Sequence, residues 1–123
     1  MKTFTLQQAN ALVPMVADLL EHVTETRNRL VAASESLQSV THKAGGNGGS
    51  KAGSEYALLL QHFNALIDTF KEWGVELKDI DDGLVDFPSH RDGRIVYLCW
   101  KRGEERIEYW HDIDSGFGGR QPV

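Results

Sequence analysis

A chain of 123 residues with 41% hydrophobic and 25% charged residues matches an ordinary single globular domain and excludes collagen-like, low-complexity and wholly disordered classes. A formal charge of -5, from 13 Lys+Arg against 18 Asp+Glu, offers no basic field for a nucleic acid or an anionic membrane, so neither is an expected partner. The one cysteine, Cys99, admits neither an internal disulfide nor a CxxC knuckle, no apolar run nears the ~18 residues of a membrane span, and no secretory leader is read at Met1; a cytoplasmic location is expected.

The first predicted element is a helix over residues 4–43. Thr5 can cap it, Gln8 completes a capping box, and Phe4 can staple onto Ala9. Apolar positions then recur in alternating steps of three and four through Ala9, Leu12, Val16, Leu19, Val23, Thr26 and Leu30, a heptad seam that resembles a coiled coil. Pro14 removes a backbone donor inside this pattern, which predicts a kink. Residues 44–53 are rich in Gly and Ser and have no apolar period, so they are expected to form a flexible connector. Ser54 can cap a second helix over residues 54–73, whose stripe is Tyr56, Leu59, Phe63, Leu66, Phe70 and Trp73, with Gly74 ending it.

Beyond Gly74 the period changes to alternation, and residues 75–123 are expected to form a β-meander and tail. Val75–Ile80 is a short strand or an extended linker, Leu84–Phe87 a strand stopped by Pro88, Arg94–Trp100 the strongest strand, and Arg106–Asp112 the next. The result is a three-stranded meander, and the tail from Ser115 is either a covering loop or loose. The expected fold class is therefore α+β: one domain, a long antiparallel helical hairpin with a proline kink, then a small antiparallel meander.

Val13, Leu20, Leu60 and Ile67 widen each helical stripe beyond what a two-helix contact buries, so the sheet and a second copy of the hairpin are expected to cover them. A homodimer follows. Placing the loop midpoints at Arg91 and Gly103 puts Val85, Phe87, Ile95, Tyr97, Cys99, Ile107, Tyr109 and His111 on the face toward the helices. The other face then carries Asp86, Arg94, Val96, Leu98, Trp100, Glu108, Trp110 and Asp112, an aromatic centre edged by charge with Arg94 facing Asp112. Its tryptophans are expected to lie under the chain's own tail or to meet a protein or small-molecule partner.

In this register Cys99 and His111 share a face but stand roughly 13 Å apart at ~3.3 Å per residue, too far for a nucleophile–base pair, and Cys99 is expected to be a core residue. Glu108 and His111 point to opposite faces, and the usual metal-ligand spacings are missing, so no metal or other cofactor is expected. Asp86, Glu108 and Asp112 form the best carboxylate set on one face. Arg91 and Arg120, each near glycine, can hold an anion through a planar fork or simply make an ion pair.

The segments Phe4-Thr5-Leu6-Gln7-Gln8-Ala9-Asn10-Ala11-Leu12-Val13-Pro14, Gly83-Leu84-Val85-Asp86-Phe87-Pro88, Arg91-Asp92-Gly93-Arg94-Ile95-Val96-Tyr97-Leu98-Cys99-Trp100, Tyr109-Trp110-His111 and Gly116-Phe117-Gly118-Gly119-Arg120-Gln121-Pro122 resemble a bacterial family catalogued as domain of unknown function 2203. The resemblance implies a small uncharacterised protein without an established activity. On the residues themselves, the leading expectation is a non-enzymatic, homodimeric binding or scaffold module with a hairpin interface and an aromatic sheet surface. The alternative is a small enzyme or metal-dependent protein with a polar site in the C-terminal β unit. The candidate binding residues are Asp86, Arg91, Trp100, Glu108, Trp110, His111 and Arg120.

Overall fold

The computed structural model describes residues 1–44 and 49–123. Two long helices pack together and lead into one five-stranded antiparallel sheet. Helix α1 spans Leu6–Ala44 and α2 Gly49–Trp73; the strands are β1 (Glu76–Asp79), β2 (Leu84–Arg91), β3 (Arg94–Lys101), β4 (Tyr109–Asp112) and β5 (Gln121–Pro122), and they lie side by side in chain order.

The start of α1 is the expected capping box: the Thr5 amide donates to Gln8 Oε1 at 2.9 Å, and the Gln8 amide donates to Thr5 Oγ1 at 3.1 Å. Phe4 and Ala9 are both buried in the core. Helix α1 continues through Pro14 for 39 residues, about 58 Å at ~1.5 Å per residue. Of the expected connector, residues 45–48 lie outside the described residues, whereas Ala44 is helical and α2 opens at Gly49 in place of Ser54. Helix α2 ends on Gly74 (φ 79): the Gly74 amide donates to the Lys71 carbonyl and the Val75 amide to that of Phe70, a Schellman closure with Phe70 and Val75 packed in the core.

The meander has five strands where three were expected. Leu77 pairs with Val85, making the Val75–Ile80 stretch a true edge strand. Gln121 pairs with Trp110 and the Val123 amide donates to the Glu108 carbonyl, which ties the tail onto β4. Two residues, one a proline, carry no alternation by which sequence could reveal such a strand. Pro88 does not stop β2 either. It pairs opposite Tyr97, and its carbonyl accepts from the Phe4 amide at 2.8 Å. A strand residue's nitrogen and carbonyl point to the same edge, so the missing N–H lies on the side away from β3 and costs no ladder bond. Residues 106–108, expected in the third strand, precede β4.

The largest correction concerns register. The β2–β3 hairpin turns on Asp92 and Gly93, at φ 50 and φ 78, with Arg91 opposite Arg94. This two-residue type I′ geometry moves the midpoint from Arg91 to the Asp92–Gly93 bond and turns one strand over relative to the expected pairing. Val85 and Phe87 do face the helices, but their companions are Val96, Leu98, Trp100 and Trp110, packed with Val16, Leu20, Val23 and Phe70. Trp100 and Trp110 are 2% and 6% exposed, so they belong to the core and not to an outer aromatic surface. The face opposite the helices carries Asp86, Tyr97, Cys99, Tyr109 and His111. Val13 and Leu20 are buried in the same core, as the wide stripe of α1 predicts, and the Arg94–Asp112 rim pair forms at 3.0 Å.

Candidate functional site

Three adjacent strands each contribute one chemically active side chain to the sheet face turned away from the helices. Asp86 of β2 stands directly opposite Cys99 of β3, and His111 of β4, paired with Tyr97, lies diagonally beside Cys99. The three are 3%, 1% and 2% exposed, and a carboxylate oxygen, Sγ and a ring nitrogen lie within 4.8 Å of one another. The 13 Å separation expected for Cys99 and His111 is thus overturned.

Hydrogen bonding defines the state of the imidazole. His111 Nδ1 lies 2.7 Å from the Asp112 carbonyl oxygen, which can only accept, so Nδ1 carries the proton. In the neutral ring Nε2 then bears a lone pair. That lone pair faces both oxygens of Asp86, each at 3.1 Å. A bare nitrogen and a carboxylate repel in a buried setting unless positive charge, as a proton or a metal cation, lies between them.

Burial holds Asp86 above the usual carboxylate range, with the charge and hydrogen bond of His111 opposing the shift. Burial likewise pushes the Cys99 thiol up to about 12, reinforced by the Asp86 carboxylate and opposed by Arg120. Without a cation, burial keeps Cys99 as the neutral thiol and shifts Asp86 toward its protonated form. The trio forms one wall of a cavity of about 140 Å³, which Lys78, Leu84, Ile113, Gly116 and Phe117 complete. Lys78 Nζ donates to Glu76 at 3.0 Å and sits 4.6 Å from the centre of the Tyr97 ring.

Of the seven candidate residues, Asp86 and His111 come together, and Arg120 lies at the edge of the site. Its guanidinium makes a two-oxygen bridge to Glu104 at 2.9 and 2.8 Å, donates to the Cys99 carbonyl at 3.3 Å, and stacks near Tyr109 and Phe117. Arg91 instead covers the Trp110 ring at 4.5 Å, and Glu108 pairs with Arg106 at 3.4 Å in solvent. Trp100 donates from its indole to the Glu104 carbonyl within the core. Asp86, Glu108 and Asp112 do not share a face: Asp112 is on the helix side with Arg94. Cys99, set aside from sequence as core, is the residue that completes the cluster. The signal that locates it is the Asp92-Gly93 turn, which puts Cys99 opposite Asp86.

The fold and this cluster define an α+β protein that pairs two long helices with a five-stranded meander and carries a buried Asp/Cys/His set on the sheet's far face. The family model described as "Uncharacterized conserved protein (DUF2203)" matches residues 2–123, and the chain belongs to that family. No curated protein and no solved structure gives a match. No helix among the described residues is long and apolar enough to cross a membrane.

Proposed function

We propose that this is a metal-dependent protein that holds a thiophilic divalent cation, of the zinc class, on Asp86, Cys99 and His111. The supporting observation is the convergence of an Asp86 carboxylate oxygen, Cys99 Sγ and a His111 ring nitrogen within 4.8 Å inside a buried site, with His111 Nε2 3.1 Å from both Asp86 oxygens and Nδ1 held by a backbone carbonyl at 2.7 Å. That second bond is the usual way a ligating histidine is oriented. A sulfur, nitrogen and oxygen donor set suits zinc or a neighbouring transition ion and disfavours magnesium or calcium. Donors on one tetrahedral ion lie roughly 3.3–3.7 Å apart. Modest side-chain rotation brings a set confined to 4.8 Å into that range. Three protein ligands beside a cavity leave a fourth position for water or substrate, the pattern of a catalytic site. Coordination also supplies the charge that turns the Cys99 thiol into a thiolate.

Elemental analysis of protein purified without chelator tests this directly, with one equivalent of transition metal expected. Cobalt(II) added to the metal-free protein is expected to give a sulfur-to-metal charge-transfer band that Cys99→Ser abolishes. A folded wild-type protein that retains no metal and shows no cobalt band overturns the proposal.

A second reading concerns the hairpin, for which we propose self-association. Leu58 and Leu60 on α2 are 66% and 40% exposed, and Val31 on α1 is 50% exposed, so the stripes are wider than the pairing of α1 with α2 covers. Light scattering at micromolar concentration tests it, and a monomer mass ends it.

A further inference from the structure

We propose that the open coordination position at the Asp86–Cys99–His111 site binds a small monocarboxylate with a short apolar chain, one oxygen on the metal and the other toward Lys78. This inference rests on the metal reading above.

Size sets the first bound. A cavity of about 140 Å³ is well below the several hundred Å³ of a drug-sized site, so it takes a ligand of a few heavy atoms. Charge sets the second. A divalent cation with the Cys99 thiolate, the Asp86 carboxylate and a neutral His111 has no net charge. The ammonium of Lys78 lies on the cavity wall, half-exposed and paired with Glu76 at 3.0 Å, so the wall carries no large net charge of either sign. A single anionic oxygen pair suits this setting, met by the metal on one side and by the Lys78 ammonium on the other, whereas a dianion adds charge that nothing on the wall offsets.

Donor count points the same way. An ammonium has three N–H groups: Lys78 gives one to Glu76 and places its charge near the Tyr97 ring, which leaves donor capacity for a ligand oxygen in the cavity it lines. The remaining wall is Leu84, Ile113, Phe117 and the backbone of Gly116. The side chains of this wall carry no charge, so they fit methylenes and not a second charged end. A carboxylate with a short alkyl tail satisfies the metal, the ammonium and the apolar wall at once.

The test uses the full chain loaded with cobalt(II), titrated with formate, acetate, propionate and butyrate and, as a neutral control, n-butanol. The visible ligand-field bands report what enters the fourth position, while the near-ultraviolet thiolate band in the same sample reports whether the metal is held. Expected are a shift of the visible bands with each carboxylate, tightening by about fourfold per added methylene, and none with n-butanol. Lys78→Gln weakens butyrate by about tenfold or more through loss of the charge-assisted hydrogen bond, whereas Lys78→Arg restores most of it. A thiolate band with visible bands that no carboxylate moves overturns this proposal and leaves the metal site standing. Equal butyrate affinity in wild type and Lys78→Gln also overturns it. Absence of the thiolate band removes the metal site and this proposal together.

Discussion

Replacing Asp86 by asparagine separates a metal site from a buried ion pair. The amide is nearly isosteric with the carboxylate, and its NH₂ can donate to the Nε2 that Asp86 faces at 3.1 Å. In the metal-free protein with a neutral His111, this substitution exchanges the hydrogen bond that a protonated Asp86 donates to Nε2 for one that the amide donates. The expected change in stability is within about 1 kcal/mol. If instead a His111 imidazolium is paired with Asp86, the substitution strands a buried cation, which costs about 3–5 kcal/mol. Unfolding entropy near 2.1 cal/mol/K per residue gives roughly 0.26 kcal/mol/K for this chain, so the two outcomes are a shift within about 4 °C and a drop of roughly 12–20 °C. For the metal, total affinities of about 10–16 kcal/mol spread over four ligands come to roughly 3 kcal/mol each, a loss of a hundredfold or more. Thermal melts in excess chelator, and zinc competition against a chromophoric chelator, measure both quantities. A large fall in the metal-free melting temperature with unaltered zinc affinity refutes the metal assignment.

Three further outcomes follow from the same geometry. In the metal-free protein Cys99, 1% exposed and with its thiol pushed up to about 12, has a thiolate fraction of roughly 10⁻⁴ at pH 8, so a disulfide reagent is expected to leave the folded metal-free protein unmodified and to label it promptly in denaturant. Trp100→Ala is expected to destabilise by about 3–5 kcal/mol in urea melts, because this ring is 2% exposed in the core; a cost under about 1 kcal/mol contradicts that placement. Gly93→Ala places a side chain at φ 78 in the β2–β3 turn and is expected to cost about 1 kcal/mol, although no atom stands within 4 Å of the added methyl. Stability unchanged by this substitution argues against the type I′ turn.

The helices were legible because their signals are local. The capping box, the three-four seam and Gly74 each depend on residues within a turn or two, and the structure realises all three. The sheet was legible as alternation but not as register, which depends on where a turn is centred. An Asp-Gly pair between alternating segments is a strong two-residue hairpin signal, and it was present at Asp92-Gly93. Centring the turn on Arg91 instead turned one strand over and left Asp86 and Cys99 on opposite faces. That single step sent the tryptophans outward and dispersed the cluster. The placement of His111 beside Cys99 was harder to read, because the β3–β4 connection is long and irregular and β4 begins only at Tyr109. The β5 pairing depends on two residues and a contact with Glu108, and nothing in the local sequence announces it.

The same register explains how one sheet serves two tasks. Val85, Phe87, Val96, Leu98, Trp100 and Trp110 anchor β2, β3 and β4 onto the helices, which fixes the backbone of all three strands that carry the cluster. Further pins lie close by: Ser89 donates to the Phe4 carbonyl at 2.6 Å, and the Ile107 amide donates to Asn10 at 2.7 Å just before β4. On the far side, Arg120 holds the Cys99 carbonyl and Glu104 together. Donors on paired neighbouring strands so restrained need little reorganisation when a cation binds, and that spares the ordering cost a loop-borne site incurs. The long hairpin therefore affects the site through the rigidity of the sheet and not through contact. A core substitution such as Trp100→Ala is accordingly expected to weaken zinc binding even where the chain stays folded, because it loosens the strand that holds Cys99 in place.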